Sequence, residues 1–288
     1  MIKLNYSTHR ELFLVALALP SFLGVLIFFI IPFVISLQMA MIDNPQSRNF
    51  VTFEHFVSTI NNAAFRLAIR NTLRFMALSI PISMILAFTI ASLLHNVNRK
   101  IRNFLSVFFI LPLVVPSGSI VHFWRSIFGI NGVLNRIFSP FEPINWLNTD
   151  FALWVIVFIF IWKNVGFNIV LYLAGLNLIP KEYYEYASTE GAGRFWLFSR
   201  ITIVYLTPTT FMVFLMSIVM SFRAFREIFS LTGAYPHFSI YMLQHYMNNM
   251  FAAINYQRLA AASYILTAGI VAVVLCMFYI QRRVFNYD

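Results

Sequence analysis

Leu176-Asn-Leu-Ile-Pro180-Lys-Glu-Tyr-Tyr-Glu185-Tyr-Ala187-Ser-Thr-Glu190-Gly191-Ala-Gly-Arg-Phe-Trp196 is a polar island with five charged residues, set between two long apolar segments. A chain that crosses a bilayer has little use for so ordered an insert unless something outside the bilayer reads it. Pro180 suits the first turn of a helix, where its missing N–H has no partner to lose. Glu182 and Glu185 lie toward the positive N-terminal end of that helix. Tyr183, Tyr186, Ala187 and Glu190 recur at helical spacing, and Gly191 can take the left-handed conformation that ends a helix. A second helical pattern restarts near Arg194 and enters the next apolar segment. The spacing predicts a short helix–turn–helix at the membrane surface, offering tyrosines, carboxylates and small residues to a partner.

The rest of the 288-residue chain supplies the membrane. Hydrophobic residues make up 60% and charged residues 10%, with a mean hydropathy of +0.77. Soluble domains hold about 45–50% apolar and about 25% charged residues, so the composition belongs to a polytopic membrane protein. Six segments are long enough to cross roughly 30 Å of hydrocarbon as helices. They fall near 12–37, 72–94, 104–124, 151–176, 203–222 and 259–280, with the polar loop over 177–200. The expected fold is all-α, one transmembrane domain over 1–288 with six spans. The first apolar run is too long for the core of a cleavable signal and lacks a small-residue cleavage site. Prolines 20, 32, 81, 112, 116 and 208 fall inside spans and suit a kinked bundle around a pathway.

Charge sets the expected orientation. With both termini cytoplasmic, the inside segments carry Lys3, Arg10, Arg99, Lys100, Arg102, Lys181, Arg194, Arg200, Arg282 and Arg283 at higher density than the outside segments carry theirs. The net charge of +10 is dispersed along span flanks, which fits lipid headgroups rather than nucleic acid. The single cysteine, Cys276, lies in the last span as a packing residue and builds neither a disulfide nor a metal site. No metal-binding histidine spacing and no phosphate-binding G-x-x-x-x-G-K-[ST] loop occur, so no catalytic residue, metal or cofactor is assigned.

Polar residues inside spans mark where a cargo would pass. Lys163 falls near the middle of the fourth span, where a cation costs about 2.5–3.5 kcal/mol and must find a carbonyl, a carboxylate or water. Asn164, Asn168, Tyr172 and Gly175 continue a polar or small stripe along the same span. Amides and phenols of this kind suit a polyhydroxylated ligand, and equally suit contacts between neighbouring helices. Arg223, Arg226 and Glu227 close the fifth span. Arg223 and Glu227 are four apart and so can pair, either as an outer gate or as a solvated interfacial cluster. Trp124, Trp146 and Trp154 read as interface anchors, and His122 and Arg125 as outer-vestibule residues.

The loop resembles the EAA loop of permease subunits from binding-protein-dependent ABC importers. Ile179-Pro180, Glu185, Ala187 and Gly191 match it, while Tyr186, Glu190 and Val204 depart from its usual Ala, Asp and Pro. Asn71-Thr72, Leu111-Pro112 with Pro116, Trp124-Arg125, Gly132 with Asn135, Trp146-Leu147, Leu173-Ala174-Gly175-Leu176 and Leu231-Thr232-Gly233 fall in the order seen in carbohydrate-importing members. The resemblance covers about residues 8–285. It implies half of a translocation pathway for a sugar or oligosaccharide in a bacterial or archaeal cell membrane. It also implies a second homologous permease, two cytoplasmic ATPase subunits and an extracytoplasmic binding protein. The ATPase-coupling residues would be Pro180, Tyr183, Glu185, Tyr186, Ala187, Glu190 and Gly191; the pathway residues would be Lys163, Asn164, Asn168, Tyr172, Arg223 and Glu227. A non-sugar solute such as a glycerophosphodiester or polyol is the alternative cargo. A secondary transporter would need carboxylates near span centres, and a membrane enzyme a cluster of reactive groups at one depth; neither pattern is present.

Overall fold

The computed structural model describes residues 6–43, 46–138 and 142–285, with side chains from 13 to 282 within them. Lys3 lies outside the described residues, as do the side chains of Arg10 and Arg283. The chain divides into two compact units, residues 1–62 with 250–269 and residues 63–249 with 270–288.

In the first unit, α1 (Tyr6–Val25) runs through one π turn, Leu26–Ile30, into α2 (Ile31–Ala40). The cause is Pro32. A proline lacks the N–H that an α turn would use and crowds the carbonyl four residues back, and the wider turn relieves that crowding. None of the most apolar stretch within Phe13–Ala40 is buried, so this helix presents apolar side chains all round its surface. Asp43 then gathers a turn, accepting bonds from the Asn49 N–H and Nδ2, each at 3.1 Å. Helix α3 (Glu54–Asn61) follows. Ala260 and Ala261, early in the last helix, pack on Ala40 and Phe56, and the Tyr264 hydroxyl donates to the Phe33 carbonyl.

The second unit is a bundle around one buried helix. Its elements are α4 (Ala63–His95), α5 (Arg99–Val114), α6 (Ser117–Phe128), α7 (Val133–Phe138), α8 (Ala152–Asn177), α9 (Lys181–Thr189), α10 (Arg194–Leu197), α11 (Ile203–Arg223), α12 (Phe225–Thr232) and α13 (Leu243–Ala252), with the later part of α14 (Tyr256–Phe285). A π turn, Phe198–Thr202, joins α10 to α11. Helix α8 packs against α4, α5 and α11. It is apolar on every side, which is the pattern of a helix surrounded by others. Two glycines let its neighbours close in. At Gly166 the backbone of Phe109 occupies the space a β-carbon would need, and at Gly175 the Thr209 and Leu206 side chains do so, at 2.5 and 2.8 Å.

Among the described residues, five helices are long and apolar enough to span a bilayer, and the pair α5 and α6–α7, bent by 94°, is long and apolar enough together to be a sixth, as a broken span or a re-entrant loop. The third expected span, 104–124, is therefore not one helix. Val115, preceding Pro116, is held extended, and Pro116 with no N–H starts α6 in a new direction. The fifth span is longer than expected: Arg194–Thr232 is a single run with a π turn near one end and a break at Ala224 near the other.

Polar side chains fix the connections that hold α6 and α12. Asn135 donates to the carbonyls of Ile130 (2.9 Å) and Ile144 (2.8 Å) and accepts from the Trp146 indole (2.9 Å), which closes the hairpin after α6. Asn71 donates to the carbonyls of Phe238 (2.6 Å) and Tyr241 (3.0 Å), and Thr72 accepts the Leu243 N–H at 2.9 Å. Two of the three tryptophans expected at an interface sit elsewhere. Trp124 is buried against Phe128, Phe158 and Trp162, and Trp146 is spent on Asn135, because each ring finds a packing partner before it reaches lipid. Arg125 donates to the Ser230 carbonyl at 2.8 Å, tying α6 to α12, while Trp154 is exposed as expected. Cys276 is exposed rather than packed.

Candidate functional site

The break at Pro116 and the break at Ala224 together build a charged centre inside the second unit. Pro116 makes Ser117 the first residue of α6, and Ala224 lets α12 turn Glu227 inward beside Ile228 and Leu231. Lys163, at the midpoint of α8, forms an ion pair with Glu227 Oε1, and the Ser117 hydroxyl donates to the same oxygen at 2.7 Å. Glu227 is only 5% exposed. The expected Arg223–Glu227 pair does not form, and the solvated-cluster reading of Glu227 falls with it. The helix ends between the two residues, so Glu227 joins the buried face of α12 while Arg223 stays exposed. An isolated ion at this depth would be strongly disfavoured, and pairing with hydrogen-bond support is what makes it tolerable.

A cavity of about 130 Å³ opens beside this pair, lined by Lys163, Asn164, Arg223, Arg226 and Glu227 together with apolar side chains such as Phe160 and Met220. Asn164 faces it, with its amide donating to the Phe160 carbonyl at 2.8 Å. The other two members of the stripe do not reach it. Asn168 is buried and bridges Ser83 on α4 (3.2 Å) and Ser217 on α11 (3.1 Å). Tyr172 is 2% exposed, with its ring edge-on to Phe88 at 5.6 Å. The helical period explains the split: a step of five residues from Lys163 turns the side chain away from α12 and toward α4 and α11.

His245 on α13 is fully buried against the Phe225 and Phe229 rings of α12. Its Nδ1 accepts the Met242 N–H at 3.2 Å, which leaves the proton on Nε2, an atom with no partner among the described residues. The rings of Phe225 and Tyr241 flank it, and burial pushes its pKa down to about 4.

At the other functional end, α9 has the helix–turn–helix form the sequence predicts. Pro180 stands one place earlier than expected, as the extended residue that caps the helix rather than inside its first turn. Gly191 has φ +82°, the left-handed conformation. The Ala192 N–H bonds the Ala187 carbonyl at 2.9 Å and the Gly191 N–H bonds Ser188 at 3.1 Å, the paired closure of a Schellman motif. Tyr186 is 75% exposed, Phe195 on α10 is 81% exposed, and Tyr183, Glu185 and Glu190 also face outward, while Ala187 is half-buried. Sequence reasoning missed Tyr184. Its hydroxyl lies 2.9 Å from Thr202 Oγ1 and its ring packs on the core, so α9 is riveted to the π turn below α11. Tyr183 adds a ring contact with Tyr205 at 5.1 Å. Ser117 was missed too; its signal was its place directly after a span-breaking proline. Among the described residues no group of three His, Cys, Asp or Glu is placed to hold a metal.

This arrangement has close relatives. The arabinooligosaccharides transport system permease protein of Bacillus subtilis is 31% identical over 223 residues, covering 74% of this chain and 69% of its own. The trehalose/maltose transport system permease protein of Thermococcus litoralis is 31% identical over 242 residues, 81% of each chain. The fold is that of a chain in the crystal structure of a bacterial ABC transporter involved in import of the acidic polysaccharide alginate, with a TM-score of 0.81 over 97% of this chain and 98% of that one, at 24% identity. Residues 80–286, from within α4 through α14 and across both the charged cavity and the α9 turn, match one family throughout, and the chain belongs to it: the inner membrane components of binding-protein-dependent transport systems.

Proposed function

We propose that this chain forms half of the translocation pathway of a saccharide importer and takes its motion from ATPase subunits through α9. The relatives named for arabinooligosaccharides and for trehalose and maltose support a saccharide cargo. A related bacterial importer has been crystallised with a ligand-bound periplasmic protein, which supports delivery by a binding protein to the face opposite α9. A second permease completes the pathway, and both termini lie in the cytoplasm, on the side of α9. Pro180, Tyr183, Glu185, Tyr186, Ala187, Glu190 and Gly191 form the ATPase-facing turn. Lys163, Asn164, Arg223 and Glu227 form the pathway wall, while Asn168 and Tyr172 hold the wall's helices together.

The observation that carries the reading is the joint form of α9: large apolar and acidic side chains turned outward, with one tyrosine riveted to the base of a spanning helix. A surface that must transmit force needs both an exposed contact and a rigid link. Gly191→Asp adds a β-carbon at positive φ, a strain of about 1–2 kcal/mol, and a charge beside Glu190. No neighbour obstructs the new side chain, so the damage is confined to the turn. ATPase subunits should then copurify poorly and ATP-driven uptake should fall, with membrane insertion intact. A cysteine replacing Tyr186 should crosslink to an ATPase subunit; no adduct, together with normal uptake by Gly191→Asp, would remove α9 from the coupling path.

A further inference from the structure

We infer that the cargo accepted by the cavity beside Lys163 is an anion, a saccharide bearing carboxylate or phosphate groups rather than a neutral one. The inference rests on the pathway reading above and concerns the chemistry of the same cavity. Its charged wall holds three cations and one carboxylate. The carboxylate is already committed, since Glu227 Oε1 takes both Lys163 and the Ser117 hydroxyl. Two positive charges are left over, on Arg223 and Arg226. Both are exposed, and among the described residues neither has an ion-pair or hydrogen-bond partner. The remaining wall is mostly aliphatic and aromatic. A low-dielectric wall carrying uncompensated charge of one sign concentrates ions of the other sign.

The hydrogen-bond inventory points the same way. A neutral oligosaccharide wants several amides, hydroxyls or carboxylates around it. Here the one uncharged polar side chain on the wall is Asn164, and its amide donates to the Phe160 carbonyl. What the cavity has to spare is guanidinium, whose planar fork matches a carboxylate or phosphate with two parallel bonds.

A second basic feature lies at the same end of the unit. Arg66, Arg70 and Arg74 recur one turn apart on the exposed face of α4. On the buried face of the same turns, Asn71 bonds the connection after α12, and Phe75 meets Phe160, itself a cavity residue, at 5.4 Å. Arg74 sits about 16 Å along the helix from its start, at 1.5 Å per residue. A cation placed so far into a spanning helix needs water, an anion or a carboxylate beside it. An anionic cargo passing this face meets that need at Arg74.

The test uses the whole importer, with its partner permease, ATPases and binding protein, in proteoliposomes supplied with ATP. Three sets of labelled probes are offered: oligouronates of two to five residues, sugar phosphates with glycerol phosphate, and neutral malto-, xylo- and arabino-oligosaccharides. One of the two anionic sets should accumulate about tenfold faster than the neutral set, and which one identifies carboxylate or phosphate as the recognised group. Arg223→Gln with Arg226→Gln should lower that uptake about tenfold, while Arg223→Lys with Arg226→Lys should keep it within about threefold, because charge survives and only the fork is lost. Binding-protein affinity for the same probe, measured separately, should be equal across all variants. Neutral oligosaccharides moving as fast as the anions would overturn the inference, as would uptake unchanged in the Gln pair or equally low in the Lys pair; each leaves the importer reading standing. Accumulation of none of the three sets would instead defeat the saccharide reading itself, and the inference with it.

Discussion

Removing the Lys163 ammonium would leave Glu227 buried with the Ser117 hydroxyl as its remaining partner among the described residues. Breaking one side of a buried ion pair typically costs about 3–5 kcal/mol, whereas replacing both partners with apolar groups is often neutral. Lys163→Met should therefore melt well below the wild-type complex in detergent, and adding Glu227→Leu should restore most of the loss. Equal melting of the single variant and wild type would mean that the pair contributes nothing to the bundle. His245 makes a different prediction, because its pKa is lowered by burial to about 4. The unfolded chain takes up a proton near the ordinary value of 6.5 and the folded chain does not until about 4. Stability should thus be full above 6.5 and decline as the pH falls from there toward 4. The slope of melting temperature against pH in that window should flatten in His245→Phe, and an unchanged slope would assign the titration to another group. Lys163 was legible in the sequence as a cation in need of a partner. Its partner was not, because Glu227 lies 64 residues away and its inward turn depends on the end of α11.

Among the elements, the packing of α8 offers a graded test. A β-carbon at Gly166 meets the Phe109 backbone, which cannot move aside without displacing α5; one at Gly175 meets the Thr209 and Leu206 side chains, which can change rotamer. Overpacking of this kind costs about 1–3 kcal/mol. Gly166→Ala should lower both yield and melting temperature of the assembled complex by more than Gly175→Ala does. The reverse order would show that α5 yields more readily than α11. Helix α9 was the element the sequence described best: its length and its terminating glycine are local signals, each readable within a few residues, and only its cap fell one residue away from Pro180's expected place. The third span was described worst. Hydropathy saw one apolar run, and only backbone geometry at Val115-Pro116 converts that run into two helices at 94°.

For the whole molecule, a first helix with none of its most hydrophobic stretch buried leaves an apolar surface to be covered by lipid or by other chains. Reconstituted alone, the chain should not accumulate any saccharide; robust, saturable uptake without partners would sink the importer-subunit reading. The sequence by itself determined that the chain is a multi-pass, all-helical membrane protein, and that a structured polar turn lies between the fourth and fifth of its long apolar segments. Those properties follow from composition, run length and short-range motifs, which act through contacts close along the chain. Only the tertiary structure decided which polar residues share a cavity. Asn168 and Tyr172 sit on the same helix as Lys163 and Asn164, yet rotation about that helix assigns two to its neighbours and two to the cavity. Glu227 enters because two chain breaks, one after a proline and one at Ala224, set α6 and α12 against α8. Pairings across 64 and 110 residues have no local signal, since what selects them is the cost of leaving a buried charge without a partner.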